Sequence, residues 1–253
     1  TLDLNGFSIR GPATCSGEGT TISCSGSSEF GINATIGDTR AVVVHNGRIS
    51  GFGTALAIPN SQAGCIVRDL VVTENVFTGI SVSDRGGSTP RYPCLIKDNI
   101  IKGNGSRGIL TTGPAIVTGN LIHGNGGDGI ESVLDVLVGH GNTLHSNGGR
   151  GIRVGLNSHA LISRTAIERN GLAGIEYAGG VASASLLIDN TVRGNGFAAA
   201  PPEPQLKNAC GEAAYVHQVL STGPAGSGPP TDGCTFSKDA MDPNLCDGSP
   251  ICP

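Results

Sequence analysis

Short apolar runs alternate with polar ones along most of the chain, and the alternation recurs with a nearly fixed period. With the Gly-Ile pairs aligned, DNIIKGNGSRGIL at 98–110, GNLIHGNGGDGIE at 119–131 and GNTLHSNGGRGIR at 141–153 fall into register. RTAIERNGLAGIE at 164–176 and the fading DNTVRGNGF at 189–197 continue the series, while ENVFTGIS at 74–81 and NGRISGFGTAL at 46–56 are looser upstream copies. Asn104, Asn125, Asn147, Asn170 and Asn195 are separated by 21, 22, 23 and 25 residues. That period, with short apolar segments around Leu121, Ile130 and Val136, predicts one turn of a β-solenoid per repeat. A leucine-rich repeat of similar length needs a Leu-x-x-Leu-x-Leu frame, which is absent.

Stacked turns place equivalent residues on successive rungs ~4.8 Å apart, the spacing of paired strands. Stacked asparagines can then pair their amides up and down a column. Asn104, Asn125, Asn147, Asn170 and Asn195 form one predicted ladder. Asn99, Asn120, Asn142 and Asn190 form a second, broken by Thr165. Ile80, Ile109, Ile130, Ile152 and Ile175 should make an inward aliphatic stack that supplies the core. Glycine and asparagine are expected at the sharp turns, where they tolerate positive φ at small cost.

Composition sharpens this picture. Among 253 residues there are 41 glycines, no Trp, three Tyr and only 14% charged residues. Glycine at that density disfavours helices, each costing about 1 kcal/mol in a helix interior. A net charge of −4 without a basic run argues against nucleic acid as a partner. No apolar run approaches the roughly 20 residues of a transmembrane helix. The eight cysteines contain no CxxC pair, and the histidines do not flank them at zinc-finger spacing. An even count therefore points to disulfides and to a secreted, extracellular or periplasmic location. Of about 105 connectivities, sequence neighbours suggest Cys15–Cys24, Cys65–Cys94, Cys210–Cys234 and Cys246–Cys252.

TLDLNGFSIRG at 1–11, VVVHNGRISGFGTALAI at 42–58 and the N-x-x-x-x-N-G-x-x-G-I repeats resemble the NosD-like, pectate-lyase-type right-handed parallel β-helix superfamily. The resemblance covers residues 1–197 and implies an all-β solenoid, with polar insertions at 12–30 and 84–93. Residues 198–253, with AAAPPEPQ and STGPAGSGPP, read as an irregular, disulfide-stapled C-terminal cap or tail. A flexible linker followed by a small separate module is the rival reading. Superfamily members usually have strands before the TLDLNG phrase. A chain that starts there is expected to leave an open sheet edge, which invites end-to-end self-association.

In-register stacking turns three sequence columns into charged stripes: Lys102, His123, His145, Glu168 and Arg193; Arg107, Asp128 and Arg150; Glu131, Arg153 and Glu176. Alternating signs on neighbouring rungs stabilise cross-strand pairs by a few tenths of a kcal/mol each, roughly. The alternative makes His123, Asp128, Glu131, His145, Arg150 and Arg153 the lining of one shallow groove for an acidic sugar. The resemblance admits polysaccharide lyases and epimerases, but their signatures are missing. No repeat carries a D-x-D phrase or the Asp-Pro-His phrase of mannuronan epimerases. A NosD-like copper role would need a Met-His cluster, and Met241 is the single methionine. Aromatic sugar platforms look scarce, with several phenylalanines expected to be buried. The sites NAT at 33–35 and NGS at 104–106 fit the N-glycosylation pattern, although Asn104 belongs to an interior ladder. The expectation is a secreted structural or carbohydrate-binding β-helix, leaning away from enzyme, with no cofactor and no metal. A polysaccharide lyase or epimerase is the alternative, and calcium enters only with that reading.

Overall fold

The computed structural model describes residues 1–26, 29–35, 41–59, 63–83, 92–155, 158–178 and 186–198, together with strands Leu206–Asn208, Tyr215–Ser221 and Leu245–Cys246. Three strands make each full turn. The first column holds Cys94–Lys97, Ala115–Thr118, Val136–Val138 and Ala160–Ser163, and the second holds Ile100–Lys102, Leu121–His123, Thr143–His145 and Ala166–Glu168. Longer strands, Val42–Ser50, Cys65–Thr73 and Leu186–Arg193, run through both columns and join them into one 15-stranded sheet. The third column, which includes Ile80–Ser83, Ile109–Thr111, Ile130–Ser132, Ile152–Val154 and Ile175–Tyr177, is an 8-stranded sheet of its own. Rung-to-rung pairing is parallel throughout, as in Ile109 opposite Ile130 and Ile130 opposite Ile152.

The aliphatic stack forms as the repeat predicts. Ile80, Ile109, Ile130, Ile152 and Ile175 are fully buried, and Leu56 extends the column by one rung. Each such side chain contributes roughly 1.5–3 kcal/mol by leaving water. The first asparagine ladder is also present and starts one rung early. The Asn75 amide donates to Asn104 Oδ1 at 2.8 Å, and the series continues through Asn125, Asn147, Asn170 and Asn195 at 2.8–2.9 Å. In the second ladder Asn99 donates to Asn120 and Asn120 to Asn142. Thr165 interrupts it, its hydroxyl donating to the Gly139 and Ser163 carbonyls instead.

The turn chemistry differs from the expectation. None of the first ladder's asparagines has positive φ. The residue before each one does: Glu74, Gly103, Gly124, Ser146, Arg169 and Gly194 lie between 51° and 64°. Glutamate and arginine occupy that region because tertiary pairing on both sides outweighs their local cost of about 1–2 kcal/mol. The asparagines are thus required for amide pairing, not for backbone permissiveness.

Cys15–Cys24 closes an antiparallel hairpin of Thr14–Ser16 and Ser23–Ser25 inside the first insertion. Cys65–Cys94 joins register partners on adjacent rungs. The Cys210–Cys234 and Cys246–Cys252 pairings, and residues 84–91 of the second insertion, lie outside the described residues. Parallel pairing continues past residue 197, where the sequence repeat fades. Leu206–Asn208 pairs with Ile175–Tyr177, Tyr215–Ser221 with Leu186–Arg193, and Leu245–Cys246 with Tyr215–Ser221. Backbone pairing needs no Asn-Gly turn phrase, so the ladders outrun the motif.

Asn147 accepts from both the backbone N–H and the amide of Asn125 and donates to Asn170 and to the Ile122 carbonyl. Asn147→Ala leaves buried donors unanswered and should lower the unfolding free energy by about 2–3 kcal/mol. Exposed Asn33→Ala should stay within about 0.5 kcal/mol. Denaturant titration of both variants checks this; equal stabilities would remove the ladder as a source of stability.

Candidate functional site

After each ladder asparagine the chain makes a short turn and enters the third strand column. The third residue of that turn is Arg107, Asp128 or Arg150 on successive rungs, and the outward residue of the following strand is Leu110, Glu131, Arg153 or Glu176. Two neighbouring columns of alternating charge result. Gly149 makes room for one of the carboxylates: a Cβ there would lie 2.3 Å from Asp128 Oδ1. Folded back over that glycine, Asp128 accepts the Arg150 backbone N–H at 2.7 Å, with the Arg150 guanidinium 3.6 Å away. Glu131 is clamped from both sides, by Arg107 on the preceding rung and by Arg153 at 2.9 Å on the following one. Glu176 meets Arg150 at 2.8 Å and Arg153 at 3.8 Å.

The two signs are not equally exposed. Side-chain exposure is 9%, 11% and 7% for Asp128, Glu131 and Glu176, against 38%, 21% and 35% for Arg107, Arg150 and Arg153. In each of these ion pairs the arginine is thus the more exposed partner. Burial pushes the Asp128 carboxyl up from its ordinary value, more strongly than the Arg150 backbone N–H and guanidinium pull it down.

The histidines belong elsewhere. Lys102, His123, His145, Glu168 and Arg193 are in register on the second strand column, before the ladder asparagine rather than after it. The His123 and His145 rings stack with centroids 4.8 Å apart and planes 10° from parallel. His145 Nδ1 shares a hydrogen bond with Ser146 Oγ at 3.2 Å, and Arg193 binds Glu168 at 2.7 Å. The hairpin crosses the corner between the two regions, its Gly19 N–H donating to the Gly124 carbonyl at 3.0 Å. The structure therefore brings Asp128, Glu131, Arg150 and Arg153 together and sets His123 and His145 apart as a separate pair. Among the described residues, no group of three or more His, Cys, Asp and Glu side chains could hold a metal ion.

Two features escaped the repeat pattern. Arg107 and Glu176 were visible as column members, but only the ion pairs show that they complete the cluster. Several phenylalanines were expected to be buried, whereas Phe7, Phe30, Phe77 and Phe197 are exposed. Their hydrophobicity suggested burial, whereas loops and rung edges leave them at the surface.

A family model described as "Right handed beta helix region" matches residues 3–136 and 59–200. The chain belongs to that right-handed β-helix family. No curated protein matches it by sequence. Among solved structures it is similar to the A-module of the mannuronan C-5 epimerase AlgE6 of Azotobacter vinelandii, with a TM-score of 0.58 and 16% identity over 72% of this chain and 51% of that one. The A-module of AlgE4 from the same organism gives 0.55 and 16% over 73% and 54%. The chain spans about half the length of each module. At that identity the likeness is one of fold.

Burial, then the charges of His145 and Lys102, hold the His123 imidazole below its ordinary value of 6.5. The unfolded chain therefore takes up this proton first. The stability contributed by neutral His123 is present above pH 6.5 and lost as pH falls through the lower, folded value. His123→Gln should lessen the stability lost on acidification across that window. Unfolding midpoints measured at several pH values read it, and identical pH profiles for variant and wild type would contradict it.

Proposed function

We propose that this protein is a non-catalytic β-helix of an oxidising compartment, extracellular or periplasmic, that binds an acidic polysaccharide on its arginine-rich face. The carrying observation is the unequal exposure of the charges. Arg107, Arg150 and Arg153 are more exposed than Asp128, Glu131 and Glu176, with which they pair. Planar guanidiniums suit the carboxylates of uronic acids, which they can hold through paired hydrogen bonds. Each buried carboxylate is already engaged by an arginine, which disfavours a free general base at this face. The disulfides support the compartment.

A second reading makes the same face that of a polysaccharide epimerase or lyase, and the fold of the two epimerase modules favours it. The raised Asp128 carboxyl is the group such chemistry would use.

Affinity electrophoresis through polymannuronate, polygalacturonate and a neutral glucan distinguishes the readings. Selective, salt-sensitive retardation by the two acidic polymers is expected. Arg107→Ala combined with Arg153→Ala should weaken it by about tenfold. Lack of any preference for acidic polymers would sink the binding reading. Proton spectra showing inverted sugars, or ultraviolet absorbance of an unsaturated product, abolished by Asp128→Ala or Glu131→Ala, would install the enzyme instead.

A further inference from the structure

We infer that the hairpin of residues 14–25 is a redox-set strap: with Cys15–Cys24 closed it stays docked along the corner after the first asparagine ladder and holds four rungs together, and with that bridge reduced it comes away and opens the corner to water.

The hairpin depends on its bridge for its shape. Thr14–Ser16 and Ser23–Ser25 form a two-stranded sheet of their own, three residues to a strand. An isolated hairpin of that size is marginal in water. Cys15 and Cys24 are its central opposed pair, and the disulfide closes them. The docking contact is narrow. The residue directly after each ladder asparagine is Gly105, Gly126, Gly148 or Gly171, and hairpin atoms lie against each one. A Cβ at Gly105 would lie 2.8 Å from Cys24 Sγ, at Gly126 2.6 Å from Ile22 Cγ2, at Gly148 2.9 Å from the Gly19 carbonyl carbon, and at Gly171 3.1 Å from Thr20 Cγ2. Four rungs are spanned in this way, about 14 Å at the usual strand spacing. Midway, the Gly19 N–H donates to the Gly124 carbonyl at 3.0 Å. Contacts on this scale do not offset the entropy of ordering the whole segment unless the disulfide has already restricted it. The base of the strap is fixed separately, since Ala13 is buried and donates its N–H to the Gly51 carbonyl at 2.8 Å. Opening is therefore local.

The two bridges differ in access. Cys15 and Cys24 are half-buried, whereas Cys65 is 3% exposed and Cys94 0%. Exchange needs a thiolate to reach a disulfide sulfur, so a dithiol reductant attacks the hairpin first. The dithiol loses two electrons and two protons and closes to its own disulfide. The Cys15–Cys24 bond breaks, and its two sulfurs take up those electrons and protons as thiols. Cys65–Cys94 stays closed between its rungs.

Beneath the strap run the rung-to-rung bonds of the corner. Gly105, Gly126, Gly148 and Gly171 donate their N–H groups to the carbonyls of Asn75, Asn104, Asn125 and Asn147 at 2.7–2.8 Å. Glycine brings no side chain to shield these bonds, and the hairpin is their cover. The corner is thus tightened only where an oxidant closes the bridge.

Hydrogen exchange of the full chain, read residue by residue by NMR under a mild dithiol, tests this. Alkylation should label Cys15 and Cys24 and leave Cys65 and Cys94 unlabelled. The four glycine amides should then exchange about tenfold faster or more, with Ile130 and Ile152 of the third column unchanged. Reoxidation should restore the slow rates, and Cys15→Ser with Cys24→Ser should show the fast ones without reductant. Unchanged exchange at the four glycines, in the reduced protein or in the double variant, overturns the inference. Labelling of Cys65 and Cys94 ahead of the hairpin pair overturns it as well.

Discussion

Everything in this molecule depends on one rung settling in register on the next. Backbone pairing alone would tolerate a slip, because parallel strands offer evenly spaced partners at each step. The asparagine ladders remove that freedom. Each buried amide donates to the next one's oxygen, and each oxygen also accepts a backbone N–H, as in the pair Asn104 and Asn125. A shift of one residue would leave a whole column of amides unanswered in an apolar interior, at about 1–3 kcal/mol apiece. The buried isoleucine column acts in the same sense, since a slip of one would turn it outward.

Register is also what creates the charged face. Asp128, Glu131 and Glu176 are distant in sequence from the arginines that hold them, and only the stacking of turns puts them side by side. Nearly buried carboxylates are costly unless paired and hydrogen-bonded. Here the arginines supply the pairing and remain the more exposed partners. The same network that makes the carboxylates tolerable disfavours their use as free bases.

The glycines of the repeat have a different origin from the one their reputation suggests. At Gly126 a side chain would collide with the Gly105 carbonyl oxygen, 2.4 Å away, and with Ile22 of the hairpin. Rungs approach closely at this corner and the hairpin lies against them, so absence of a Cβ matters more than freedom of φ. The left-handed positions fall one residue before the ladder and hold Glu74 and Arg169 as well as Gly124, the tertiary pairing offsetting the local cost of the first two.

The Cys15–Cys24 bridge followed from the proximity of the two cysteines within one insertion. Period, alternation and asparagine spacing pointed to the solenoid, its core column, both ladders with the Thr165 break, and the matching rung positions of Cys65 and Cys94. These are properties of adjacent rungs, and an in-register stack converts sequence offsets directly into neighbours. The charged columns were legible for the same reason, yet their grouping was not. His123 and Asp128 are five residues apart in the chain, but the turn at Asn125 sends them to different strand columns, with the hairpin over the corner between. Which sign is exposed, where the insertion lies and that Phe77 faces water were settled only by tertiary packing. Those outcomes depend on how side chains of different rungs cover one another, and a linear pattern does not encode such coverage.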